Sequence, residues 1–114
     1  MKIVKNKIKL SDLEKMSKKM FDNLVKAVVD IEKETMVVDA GMHADQEELL
    51  IKRGSKQQNL WGINLYPNNF GKRDFIEFDS MINLRPVDDN RTRGIDDSKI
   101  RQKIINIVNK LVKK

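Results

Sequence analysis

The chain contains no cysteine. That removes disulfides, thiolate-held zinc, iron–sulfur clusters and thiol nucleophiles from the chemistry open to it. Histidine occurs once, at position 43, so centres that need several imidazoles are excluded as well. Aromatic residues are scarce, with one Trp, one Tyr and four Phe, and Trp61 fits a core position. That leaves Tyr66 and Phe70 as exposed rings, too few for a base-stacking platform, and no RRM-type or KH-type motif is present. No apolar run approaches the roughly 18 residues of a membrane span. The N-terminal MKIVKNKIKL has no continuous apolar stretch of signal-peptide type. These absences lead to the expectation of a cytoplasmic protein with no membrane association.

What is present suits one compact domain spanning residues 1–114. A chain of this size buries roughly two-thirds of the surface that its unfolded form exposes, enough for one core. The net charge of +6 is unevenly spread. Residues 1–20 carry +5 and residues 98–114 carry +6, whereas 21–60 carry −3 and 61–97 carry −2. The excess lysine therefore sits at both ends, without the interleaved aromatics of a nucleic-acid groove. A solvated, solubilising surface is the simpler account.

Along the chain, residues 2–8 read as an edge strand whose lysines discourage further pairing. Ser11 and Glu14 form a capping box for a helix over about 12–25, with Leu13, Met16, Met20, Phe21 and Leu24 on one face. The β-branched runs Lys26–Ile31 and Thr35–Ala40 flank Glu32-Lys33-Glu34 and predict a hairpin, with continuation of the first helix as the competing reading. Asp45 reads as the N-cap of a short helix over 46–53 that stops at Gly54. Leu60–Tyr66 alternates and ends at Pro67. Asp74–Arg85 reads as its hairpin partner, stopped by Pro86. A final helix, capped by Asp97 or Ser98, shows an apolar stripe of Ile100, Ile104, Ile107, Val108 and Leu111. The fold class is α+β, in the order β-α-ββ-α-ββ-α. Its sheet is mostly antiparallel, with helices largely on one face.

Side-chain alternation sorts the second hairpin. Ile76, Phe78, Ile82 and Leu84 fall on the core side. The other side collects Asn64, Tyr66, Glu77, Asp79, Asn83 and Arg85, a surface with donors, acceptors and both charge signs. Asp79-Ser80 interrupts the apolar alternation as a bulge would. In the following loop, Asn90-Arg91-Thr92-Arg93-Gly94, two guanidinium groups before a helix suit bidentate anion binding. Asp88, Asp89, Asp96 and Asp97 flank them and could neutralise them instead. Asp39, His43 and Asp45 lie close in sequence and form a permissive metal-ligand pattern, although a capping role for Asp45 competes with it. The loop is neither a Walker A nor a dinucleotide fingerprint. His43, Ser80 and Asp79 could be drawn as a triad, but nothing resembles a nucleophile elbow.

The segments LWGINLYP, FIEFDSMINLRP and NRTRGIDD, with the helix start HADQEELL, resemble an uncharacterised family of short prokaryotic proteins, a domain of unknown function. The resemblance spans most of residues 26–112 and implies a complete stand-alone domain. It carries no activity that could be transferred.

The leading functional reading is a non-enzymatic binding module for an anionic ligand or a protein partner, a second copy of the chain included. Its candidate residues are Asn64, Tyr66, Asn83, Arg85, Arg91 and Arg93, and no cofactor is indicated. Two alternatives stand beside it. One is nucleic-acid binding through the lysine-rich ends with Arg91 and Arg93. The other is a small metal-dependent hydrolase built on Asp39, His43, Glu77 and Asp79.

Overall fold

The computed structural model describes residues 1–114, the side chain of Phe21 excepted; that residue's expected place on an apolar helix face therefore lies outside the described residues. Five strands form one antiparallel sheet. They are β1 (Lys2–Val4), β3 (Val25–Asp30), β4 (Thr35–Val38), β5 (Leu60–Leu65) and β6 (Ile76–Glu77), in the spatial order β1-β4-β3-β5-β6. The helices are α1 (Leu10–Ser17), α2 (His43–Lys52) and α3 (Ser98–Leu111). Two further short strands, β2 (Ile8–Lys9) and β7 (Val112–Lys113), pair in parallel. The α+β class and the order of elements are as the sequence implies, with β2 and β7 added.

The sheet is unequally covered. On one face, Val25, Ala27 and Val29 of β3 and Trp61, Ile63 and Leu65 of β5 meet Leu10 and Leu13 of α1 and Ile104, Ile107, Val108 and Leu111 of α3. Among the described residues, nineteen buried ones make up this cluster, against four (Val28, Val37, Leu50 and Leu60) under α2 on the other face. Each fully buried aliphatic side chain contributes about 1.5–3 kcal/mol, so the α1/α3 face dominates the core. The predicted 26–31 run is strand as far as Asp30, because its alternate residues feed both clusters, and Ile31 opens the turn.

Helix boundaries depart from the capping boxes. α1 begins at Leu10, directly after β2, with Lys9 rather than Ser11 as the N-cap. It ends at Ser17, whose hydroxyl donates to the Glu14 carbonyl (2.8 Å), a local bond that competes with helix continuation. Asp22 and Asn23 then adopt positive φ, which precludes a helix running to 25. α2 starts at His43 with Met42 as N-cap, so Asp45 sits in the first turn instead of capping it. Asp97 does cap α3, accepting from the Lys99 amide (2.8 Å). Gly54, at φ +96°, follows α2 as expected of a C-terminal glycine.

The largest departure is the strand predicted over Asp74–Arg85. Only Ile76–Glu77 pairs, opposite Leu65 and Asn64. The break falls at Asp79-Ser80, where Ser80 Oγ accepts from the Ile82 amide and opens a 3₁₀ turn over Met81–Asn83. The edge of β5 is completed there by a side chain. Asn83 Oδ1 accepts from the Gly62 amide (2.8 Å) and Nδ2 donates to the Gly62 carbonyl (2.9 Å), reproducing a backbone pair. Gly62 is required at this crossing: a Cβ would lie 2.6 Å from Ser80 Cβ. The predicted single core face is split accordingly. Ile76 and Phe78 pack on the α1/α3 cluster, Ile82 on the α2 cluster, and Leu84 is exposed.

Candidate functional site

Because α2 is short, about 15 Å long, it covers only part of its face of the sheet. The uncovered remainder is an open cleft of about 490 Å³, bounded by the start of α2, the middle strands and the Glu77–Ile82 segment. Its floor is a row of three cross-strand neighbours. Lys26 on β3 lies opposite Asn64 on β5, and Asn64 lies opposite Glu77 on β6. One such row places a cation, an amide and an anion side by side on one face.

Asn64 is the hinge of this row. It is 5% exposed. Its Nδ2 donates to Glu77 Oε1 (2.8 Å) and the Asp79 carbonyl (3.4 Å). Both partners accept only, which fixes the amide orientation. Its Oδ1 is buried and has no hydrogen-bond partner. Tyr66 Oη donates to the same Glu77 oxygen (3.0 Å). Burial and this carboxylate push the Tyr66 phenol up to about 12, so it stays a donor. At the rim, Arg93 Nε donates to Asp79 Oδ1 (2.8 Å). Among the described residues, the Lys26 ammonium enters no ion pair.

α2 is moored to the sheet by two side chains. Gln46 Nε2 donates to the Lys26 carbonyl (2.7 Å), one residue past the last β3–β4 pair. His43 Nε2 lies 2.7 Å from the Ile63 carbonyl. A carbonyl only accepts, so Nε2 carries the proton and Nδ1 is the ring acceptor. Burial lowers the His43 pKa and holds the ring neutral. No side chain caps the first turn of α2; the Asp45 amide donates back to the Met42 carbonyl (3.3 Å), which leaves the His43 and Ala44 amides without an intrahelical acceptor.

The sequence-predicted residues divide sharply. Asn64, Tyr66 and Arg93, together with His43, Glu77 and Asp79, line the cleft. Asn83 is committed to Gly62 and the Arg93 carbonyl. Arg85 is 8% exposed and stacks 3.9 Å from the Trp61 ring centre, with Nη1 donating to the Gln57 carbonyl (2.7 Å). Neither belongs to the polar face on which strand alternation put it, because the chain has left the strand before reaching them. Arg91 is exposed and outside the cleft, and among the described residues its guanidinium pairs with no carboxylate.

The flanking aspartates do not neutralise the arginine pair. Asp96 instead accepts from the Arg91 amide (2.9 Å) and the Thr92 hydroxyl (2.8 Å), which hold its carboxyl below the usual range. The loop is organised by Asn90, whose amide donates to the Asn83 and Gly94 carbonyls and accepts from the Asp96 amide.

The Asp39, His43 and Asp45 set does not converge. Asp39 pairs with Lys19 (3.1 Å), and Asp45 lines a separate surface with Glu48 and Lys52. Among the described residues, no group of three His, Asp or Glu side chains could hold a metal ion. The hydrolase set keeps His43, Glu77 and Asp79 in one cleft without Asp39.

Two contributors escaped sequence reasoning, Lys26 and Gln46. Both depend on which strand lies beside which, and the only local sign was a lone lysine at the start of a β-branched run.

Residues 2–111 match the family described as "Protein of unknown function (DUF5674)", and the chain belongs to that family. No curated protein and no solved structure matches it. Among the described residues, no helix is long and apolar enough to cross a membrane.

Proposed function

We propose that this protein is a small-ligand binding module whose ligand presents an anionic group to the cleft beside α2. The observation that carries this reading is the Lys26 ammonium, which belongs to a residue of the cleft floor and, among the described residues, enters no ion pair. The uncapped first turn of α2 adds backbone donors and the positive pole of the helix dipole. The volume falls within the range of small-molecule sites. Asn64, Tyr66 and Arg93 then serve as cleft residues, whereas Asn83 and Arg85 hold the scaffold.

The test is a thermal-shift screen of the whole chain with phosphorylated metabolites, small carboxylates, nucleotides and short oligonucleotides at two salt concentrations. A ligand at 100 times its Kd stabilises by about 2.7 kcal/mol. The expected hit is a small anion whose shift is lost in Lys26→Gln. Hits that survive Lys26→Gln overturn the reading. Oligonucleotide shifts that fall steeply with salt would transfer the function to the lysine-rich ends.

A further inference from the structure

The cleft is not uniformly positive. Glu77 sits on its floor and Asp22 on its lining, and Arg93 is neutralised by Asp79 at 2.8 Å. A ligand carrying only negative charge would meet Lys26 at one end of the row and a carboxylate at the other. We infer that the ligand is amphoteric: a small molecule with a carboxylate or phosphate at one end and a primary ammonium at the other, lying along the Lys26–Asn64–Glu77 row. This rests on the cleft being a ligand site and names the chemistry that site selects.

Three features argue for the ammonium end. Asn64 Oδ1 is an acceptor without a donor, in a side chain 5% exposed. Its orientation is imposed by Glu77 and the Asp79 carbonyl, so it cannot turn to offer a donor instead. Glu77 already takes hydrogen bonds on Oε1 from Asn64 and Tyr66, and its second oxygen remains for a further donor. A neutral His43, which lines the same cleft, adds no positive charge to oppose an ammonium. The anionic end falls to Lys26 and the first turn of α2, at the opposite end of the row. The backbones of Lys26 and Glu77 are two strand spacings apart, about 10 Å. Side chains leaning inward from both ends suit a ligand of a few heavy atoms.

The experiment is an amide and carboxamide NMR titration of the ¹⁵N-labelled chain at fixed ionic strength. The amphoteric probes are glycine and phosphoethanolamine, and the single-headed probes are acetate, inorganic phosphate and ethanolamine. The expected result is that an amphoteric probe moves the Ala44 amide and the Asn64 carboxamide at a concentration at least tenfold below that of its single-headed counterparts. Whether glycine or phosphoethanolamine leads identifies the anionic group, and either one supports the inference. In Glu77→Gln, checked for folding by its melt, that tenfold advantage should vanish while anion binding persists. If acetate or phosphate binds as well as the amphoteric probes, or the advantage survives Glu77→Gln, the inference is overturned and the anion site stands. If no probe moves the cleft resonances, both readings fail.

Discussion

The two faces of the sheet are built from the same strands and do opposite work. On the α1/α3 face, alternate residues of β3 and β5 are all apolar and two helices seal them. On the α2 face, the same strands offer Val28 and Leu60 for a small cluster and then, toward the other end, Lys26 and Asn64. One face is finished by burial alone. The other is finished by hydrogen bonds that leave buried acceptors unfilled, Asn64 Oδ1 and Gln46 Oε1 among them. Stability is therefore concentrated on one side of the sheet, the proposed function places recognition on the other, and substitutions should separate the two.

The largest effect is expected on the sealed face. Leu65→Ala removes a fully buried side chain and should cost about 2–5 kcal/mol in denaturant unfolding, whereas Lys26→Gln across the sheet should change stability by about 0.5 kcal/mol or less. Equal costs would break the comparison. Next comes the substitute strand: Asn83→Leu leaves the Gly62 amide and carbonyl unpaired at a buried edge. A loss of about 2–3 kcal/mol should follow, with hydrogen exchange at Gly62 accelerated.

A smaller effect concerns His43. Because burial depresses its pKa from the ordinary 6.5, the unfolded chain takes up the proton first as pH falls. The stability linked to neutral His43 is thus present in full above pH 6.5 and lost as pH drops through the folded-state value. Melting points between pH 7.5 and 5 should fall more in the natural chain than in His43→Gln. The smallest effect is at the rim. Arg93→Ala breaks a half-exposed pair with Asp79 and should shift stability by about 1 kcal/mol or less.

How far the sequence foretold this depends on whether a feature is local. The apolar stripe of α3 and its Asp97 cap, the hairpin of β3 and β4, and the period-two pattern of Leu60–Leu65 are each written within a dozen residues, and each formed. The polar face was legible where β5 and β6 pair, at Asn64, Tyr66 and Glu77. It failed beyond Asp79, since Ser80 offered the backbone a local bond and Asn83 took over the edge. Alternation extrapolated past that point put Asn83 and Arg85 on a strand that does not exist. The capping boxes misled because tertiary anchors won: β2 feeds α1 directly, and His43 is pulled into α2 by its bond to the Ile63 carbonyl.

The parallel pairing of β2 with β7 brings Ile8 beside Val112 and Lys9 beside Lys113. These residues stand near opposite ends of the chain, so their contact closes almost the largest loop that this sequence can form. Such a closure gains nothing until everything between is in place. During synthesis the early segments, β3 and β4 among them, can pair as they emerge, but the clasp must wait until Val112 has left the ribosome. The nascent domain should accordingly pass through a stage with Ile8 uncovered and α3 unanchored, in which it is open to proteases and chaperones.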